Sequence, residues 1–189
     1  MTILLDISES LRDLILKKID ELPDENSIVL DSPADIEPNS ITRLSIFLYQ
    51  IVENSFLKNA GPKYVGINQM RNPPLSIDLH YLFTPYAKNR ETELIILEKL
   101  MQVFHDNPVL KGELLKESLK VSGNDEIRIV PNNVNFEEIN KLWERFPDKA
   151  FKLSLSCIIT PVYIPSEKPP VTIKRVMEKE IDIYELGAQ

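Results

Sequence analysis

Two pairs of side chains in this sequence could bind a metal ion: Asp78 with His80, and His105 with Asp106. Carboxylate and imidazole ligands suit Zn, Mn or Fe, so a small metal-dependent hydrolase is one interpretation. The chain has only 2 histidines, however, and neither a His-x-His nor a His-Glu-x-x-His sequence. The spacing favours the alternative that Asp78 and His80 lie on a solvated strand face and that His105 stabilises a helix C-terminus. We therefore predict no metal site and no cofactor.

The single cysteine, Cys157, could be a nucleophile or a small buried apolar residue. It shares an alternating apolar register with Leu153, Leu155 and Ile159, and no sequence feature brings a histidine close to it. The register favours the buried interpretation.

Other classes of function lack the residues that they need. With 29 acidic and 22 basic side chains the net charge is −7, which argues against nucleic acid as a partner. The 5 glycines form no phosphate-binding loop, and no Gly-x-Ser-x-Gly turn occurs. No apolar run reaches the length of a membrane span, and no basic region precedes the short apolar run at positions 1–5. We expect a non-enzymatic protein that is made in the cytoplasm and does not insert into a membrane.

Hydrophobic periodicity predicts an α+β fold with a mixed, mainly antiparallel sheet and helices packed chiefly on one face. The predicted helices are 6–22, starting at Asp6 as the cap, 89–106 and 135–146, with a shorter one at 110–119. The predicted strands lie near 27–31, 41–53, 74–84, 126–130 and 150–164.

Two of the predicted strands carry more specific information. In 74–84 the residues Leu75, Ile77, Leu79, Tyr81 and Phe83 share one face, and we expect Pro85 to end the strand. The strand 41–53 is apolar on both faces, so it is either central and covered twice or has one face used by a partner. The connection of about twenty residues between these strands is longer than an ordinary loop, which is typical of a functional or partner-ordered segment.

We expect one domain over 1–166, followed by a proline-led segment over 167–189. Because prolines 169 and 170 disfavour continuation of a strand, this segment should leave the sheet. Its alternating apolar residues could add to the sheet edge of another subunit, or could form a hairpin on the same domain. The candidate interface residues are Val171, Ile173, Val176, Ile181, Ile183 and Tyr184.

Four segments together resemble a known family. They are Leu44 to Asn54 with Lys58-Asn59 following, Pro74 to Leu82, Met101 to Leu110, and Lys152 to Ser156 leading into Thr160-Pro161-Val162. Their order and spacing resemble the N-terminal domain shared by tail-terminator, or cap, proteins of extracellular contractile injection systems. These systems are phage-tail-like particles with an inner tube, a contractile sheath and a baseplate. The resemblance extends over roughly residues 8–165.

The resemblance implies a structural role with no catalytic motif. It implies a hexameric ring with head-to-tail contacts that closes the tube and sheath at the end opposite the baseplate. The implied partners are tube and sheath proteins, in a particle that is released from the cell or docked to a membrane. Whether a second cap protein lies above this one stays open. A transient assembly factor of the same particle is the alternative.

Overall fold

The computed structural model describes residues 2–37, 41–58, 61–64 and 69–172. The helices are α1 (Ile3–Leu16), α2 (Arg90–Asp106), α3 (Glu117–Val121) and α4 (Phe136–Trp143). The strands are β1 (Ile28–Val29), β2 (Arg43–Glu53), β3 (Lys63–Tyr64), β4 (Gln69–Arg71), β5 (Leu75–Tyr86), β6 (Val109–Lys111), β7 (Glu126–Pro131), β8 (Leu155–Ile164) and β9 (Val171–Thr172).

The main sheet has six strands in the order β1-β2-β5-β8-β7-β6. All of its neighbouring strands are antiparallel except β1, which is parallel to β2. β5 lies at the centre and pairs with β2 on one side and with β8 on the other. A second, three-stranded sheet has the order β3-β4-β9.

The two faces of β5 contact different helices. On one face, the Tyr81 hydroxyl lies 2.8 Å from Ser8 Oγ of α1, and the ring centroid of Phe83 lies 5.0 Å from that of Phe104 in α2. α3 joins this layer, because Ser118 Oγ donates a hydrogen bond to Asp6 Oδ2 at 2.8 Å. The opposite face lies towards α4. The predicted α+β fold, with helices chiefly on one face, is therefore confirmed.

Side-chain caps begin two of the predicted helices. Asn89 accepts a hydrogen bond from the Thr92 backbone at 2.9 Å, so it caps α2. Asn135 and Glu138 form a reciprocal capping box at the start of α4, with bonds of 2.9 and 3.1 Å.

The buried carboxylate of Glu93 anchors α2 to the segment before β8. It accepts hydrogen bonds from Lys152 and, at 3.0 Å, from Arg90. Burial raises the pKa of Glu93, but hydrogen bonds from these two cations outweigh burial, and the net pKa is below its ordinary value of 4.5.

Several predicted boundaries are wrong. α1 begins at Ile3 and ends at Leu16, so Asp6 lies inside the first turn and is not the cap. The segment 110–119 begins with strand β6, a short 3-10 turn follows, and only then does α3 start. β8 begins at Leu155 and not near 150.

Pro85 does not end β5, which continues to Tyr86. Pro85 pairs with Leu44 of β2, whereas the pairing of β5 with β8 ends at Phe83 and Leu155. At Pro85 the strand thus has a neighbour on one side only, and proline is tolerated in a strand at such an edge position.

Candidate interaction surface

Asp78 lies at the centre of a hydrogen-bonded cluster on the face of β5 that looks away from α1 and α2. Its Oδ1 accepts a hydrogen bond from Asn54 Nδ2 at 2.9 Å and another from Thr160 Oγ1. Ile77 pairs with Val162 and Leu79 with Ile159, so a β-bulge in β8 places Thr160 opposite Asp78. The carboxylate therefore joins the two strands that flank β5.

This face is only partly solvated, so that part of the prediction is partly wrong. Ser76 and Thr84 are buried, and Asp78 and His80 are half-buried. The face is covered because Phe47 of β2 stacks edge-on against Phe146, just after α4, at 5.9 Å between centroids. The sequence of one strand does not predict that a helix far along the chain will cover its polar face.

His80 contacts the ring of Tyr49, with 5.9 Å between centroids. Burial lowers the pKa of His80 below its ordinary 6.5, and the charge of Asp78 opposes this effect only in part. The Tyr49 hydroxyl in turn lies 3.1 Å from Ser156 Oγ and accepts a hydrogen bond from Asn132 Nδ2 at 3.1 Å. These contacts make a structural polar cluster between the sheet and α4.

The structure does not bring the two candidate metal pairs together. His105 and Asp106 are exposed at the end of α2, on the opposite side of the sheet from Asp78 and His80. Within the described residues, no group of three or more His, Cys, Asp or Glu side chains could hold a metal ion.

Cys157 is a buried core residue, as its register predicted. Burial raises the pKa of its thiol to about 12, so the thiolate required of a nucleophile is strongly disfavoured at neutral pH.

Asn54 also shapes a turn at the end of β2, a role that sequence reasoning missed. Its Oδ1 accepts hydrogen bonds from the backbone N–H groups of Phe56 and Leu57, each at 3.1 Å. The side chain of Asn54 is buried, whereas Phe56 beyond it is 94 % exposed. An asparagine directly after a strand was the available signal, because asparagine favours turns through such bonds.

A cleft of about 330 Å³ lies beside this turn. It is lined by residues from the turn, from the start of β5 and from the end of β8: Glu53, Leu57, Lys58, Pro73, Pro74, Leu75, Ser76, Ile164, Pro165 and Ser166. Leu57 and Leu75 are exposed, and the buried Ser76 Oγ has no hydrogen-bond partner in the described part of the chain. This end of the sheet therefore combines apolar side chains with a turn held in one conformation, which is typical of a contact surface.

The outer edge of β2 belongs to the same surface. β1 pairs only with Leu44 and Ser45, so no described strand pairs with this edge from Ile46 to Glu53. Ile51 and Val52 on this stretch are 49 % and 38 % exposed. Of the two predicted interpretations of this strand, coverage on both faces applies to its first half. Its second half is exposed, and the use of one face by a partner stays a prediction.

The start of the C-terminal segment lies on the small sheet of the same chain. In β9, Val171 pairs with Met70 of β4, and its side chain is 61 % exposed. The other candidate interface residues, Ile173, Val176, Ile181, Ile183 and Tyr184, lie outside the described residues. The predicted role of this segment at a subunit interface stays a prediction.

Among the described residues, no helix is both long enough and apolar enough to cross a membrane.

The fold is shared with terminator subunits of contractile injection particles. One similar structure is the sheath/tube terminator, in the extended state, of the extracellular contractile injection system PVC, with a TM-score of 0.67 and 16 % identity over 98 % of this chain. Another is the tube-terminating cap of the anti-feeding prophage, with a TM-score of 0.62 and 14 % identity over 95 % of this chain. The match spans 64 % and 61 % of those two chains.

The family follows from the sequence itself. The model of the Pvc16 N-terminal domain matches residues 6–178, so the chain belongs to that family. No curated protein matches the chain. The resemblance of the four segments to this N-terminal domain is thereby confirmed.

Proposed function

We propose that this protein is a structural cap that ends the inner tube and contractile sheath of a contractile injection particle at the end opposite the baseplate. The observation that supports this proposal most is the family match over residues 6–178. The shared fold of two solved terminators agrees with it.

A non-enzymatic role agrees with the chemistry of the polar side chains. The Asp78 carboxylate is held by Asn54 and Thr160, in a position that links strands. The Cys157 thiol is buried, and its raised pKa disfavours the nucleophilic thiolate. These groups serve the fold.

The working form is a hexameric ring with head-to-tail contacts between copies, in contact with tube and sheath proteins. In such a ring one surface of each copy meets a different surface of the next. The turn that presents Phe56 supplies a rigid, exposed aromatic side chain for one of these contacts. Assembly takes place in the cytoplasm, and the finished particle is released or docked to a membrane.

The chain divides by function into the α+β domain at 1–166 and an arm at 167–189. The arm contacts a neighbouring cap or sheath subunit through Val171, Ile173, Val176, Ile181, Ile183 and Tyr184. Deletion of the arm should leave the domain folded but prevent capping.

The test compares particles from cells that lack this gene, from cells complemented with the full chain, and from cells complemented with a chain truncated after Ser166. We expect a single length class and a defined distal end only with the full chain. Particles of unchanged length and end structure in the deletion strain would overturn the cap proposal. Restored particles that lack the protein would identify the transient assembly factor instead.

A further inference from the structure

The outer edge of β2 has the properties of an acceptor for an added strand. From Ile46 to Glu53 the sequence Ile-Phe-Leu-Tyr-Gln-Ile-Val-Glu contains neither lysine nor proline. Sheet edges exposed to water are usually short, charged or interrupted by proline, because unpaired main-chain groups recruit other strands. The protections in this stretch are one charge, Glu53 at its end, and one bulge at Tyr49, and no strand covers it in the described part of the chain.

The side chains along this edge are apolar on both faces of the sheet. Ile51 pairs with Leu79, so it lies on the face of α1 and α2, whereas Val52 pairs with Asp78 and lies on the opposite face. Both are exposed. Any strand added here would gain main-chain hydrogen bonds. To make side-chain contacts on both faces as well, the added strand must be apolar on both of its faces.

The C-terminal segment of the chain has this property. In 181–186 the residues Ile181 and Ile183 share one parity, and Tyr184 and Leu186 share the other. An extended segment would therefore present apolar side chains on both faces.

The start of that segment is anchored at the correct end of the domain. β9 pairs with β4, and β4 comes directly before β5 in the chain. The start of β5 lies beside the end of β2, because Ile77 pairs with Glu53. Residues 173–189 extend beyond this anchor for at most ~60 Å, at about 3.3–3.6 Å per residue. β2 itself spans only ~36 Å at ~3.3 Å per residue. The segment is therefore long enough to lie along an edge of that length.

We propose that the open edge of β2 binds residues 181–186 of a neighbouring copy as an added strand. The inference depends on the proposed ring, and it names the acceptor of the arm. Each copy donates one strand and accepts one, so the contact is head-to-tail and closes around the ring.

Paired cysteines test this in assembled particles. One tagged chain carries Ile51→Cys or Val52→Cys, and a differently tagged chain carries a cysteine at position 181, 182, 183 or 184. Directly opposed residues of adjacent strands meet the Cα separation that a disulfide requires. The native Cys157 is buried and does not compete.

We expect disulfides between the two tagged chains, and odd-numbered and even-numbered positions of the segment should react with different β2 cysteines. Positions 181 and 183 should react with one of the two β2 cysteines, and positions 182 and 184 with the other. Disulfides within one chain, disulfides without alternation, or none at all would each overturn the proposal. Circular dichroism of each variant confirms that it is folded.

A charge at the edge provides a second, independent readout. Val52→Lys should reduce incorporation of the chain into particles at least tenfold, because lysine protects an edge from strand addition. Leu94→Lys on α2 is the matched control, since Leu94 is 46 % and Val52 38 % exposed. Equal incorporation of the two variants contradicts the inference. If the wild-type chain lies at the distal end but no disulfides form between the tagged chains, only the proposed strand addition is wrong. If the wild-type chain is absent from the distal end, the proposed cap function is wrong.

Discussion

Exchanging the side chains of Asn54 and Asp78 tests the hydrogen-bonded cluster that holds the Phe56 turn. In the native cluster, Asn54 Nδ2 donates to Asp78 Oδ1 at 2.9 Å. Asn54→Asp alone keeps the acceptor for the Phe56 and Leu57 N–H groups, but it sets two carboxylates against each other. The double variant Asn54→Asp, Asp78→Asn restores a donor opposite an acceptor. Because Asn54 and Thr160 both donate to the same Asp78 oxygen, the amide nitrogen of the new asparagine takes that place and donates to the new carboxylate at position 54 and to the Thr160 hydroxyl, which can accept.

The magnitude follows from these contacts. A hydrogen bond to a charged group contributes about 1.5–3 kcal/mol. Two like charges about 4 Å apart repel by about 4 kcal/mol at an effective dielectric constant of ~20, and half-burial of Asp78 exposes the pair to further screening. We therefore expect Asn54→Asp to lower the free energy of unfolding by about 3 kcal/mol, which corresponds to ~6–12 °C in Tm for a chain of this size. The double variant should lie within about 1 kcal/mol of the native protein, so it should recover about 2 kcal/mol of the loss caused by Asn54→Asp alone; Asp78→Asn alone completes the double-mutant cycle.

The assay is urea unfolding followed by the fluorescence of Trp143, the single tryptophan, which is buried against Phe146 and Phe151. Asn133→Asp is the matched control, because it makes the same chemical change at an exposed position. The deficit of Asn54→Asp should shrink as the pH is lowered towards about 4, since a protonated carboxyl can donate to its neighbour. Additive effects of the two substitutions, or a single variant as stable as the control, would refute the proposed coupling.

Three further predictions concern His80, Cys157 and Phe56. Burial lowers the pKa of His80 below its ordinary 6.5, so the unfolded chain takes up the proton first as the pH falls. The contribution of His80 to the free energy of unfolding is therefore complete above pH 6.5 and is lost as the pH falls below it. His80→Gln should flatten the dependence of stability on pH below 6.5, and an unchanged slope would be contrary to this. Native Cys157 should resist a thiol reagent until the chain unfolds, as measured by the rate of thiol labelling, and rapid labelling of the folded protein would contradict its burial. Phe56→Ala should change the free energy of unfolding by less than about 0.5 kcal/mol but reduce incorporation of the chain into particles. Phe83→Ala, at a buried position, should lower the free energy of unfolding by about 3–5 kcal/mol. Normal incorporation of Phe56→Ala would exclude Phe56 as a contact residue.

Elements with local signals were predicted well from the sequence. The apolar periodicity of α2 and the capping asparagine Asn89 act within a few residues of each other, so no tertiary information is needed. The same holds for the capping box of α4 and for the buried register of Cys157.

The missed features depend on contacts between distant residues. Asn54 acquires its role from Asp78 and Thr160, which are 24 and 106 positions away along the chain. β3, β4 and β9 are too short to show a periodicity of two, although they organise the long connection before β5. Pro85 was assigned as a strand end because the general rule assumes two neighbouring strands, and β5 has only one there.

The central claim is that this protein caps the particle at the end opposite the baseplate, and cryo-electron microscopy of intact particles tests it most directly. Particles carrying a gold-labelled copy of the chain are compared with particles in which a baseplate subunit carries the label. We predict label at the distal end of every intact particle and six-fold density there into which the α+β domain fits. Label along the sheath, label at the baseplate, or a distal end without this chain would contradict the account.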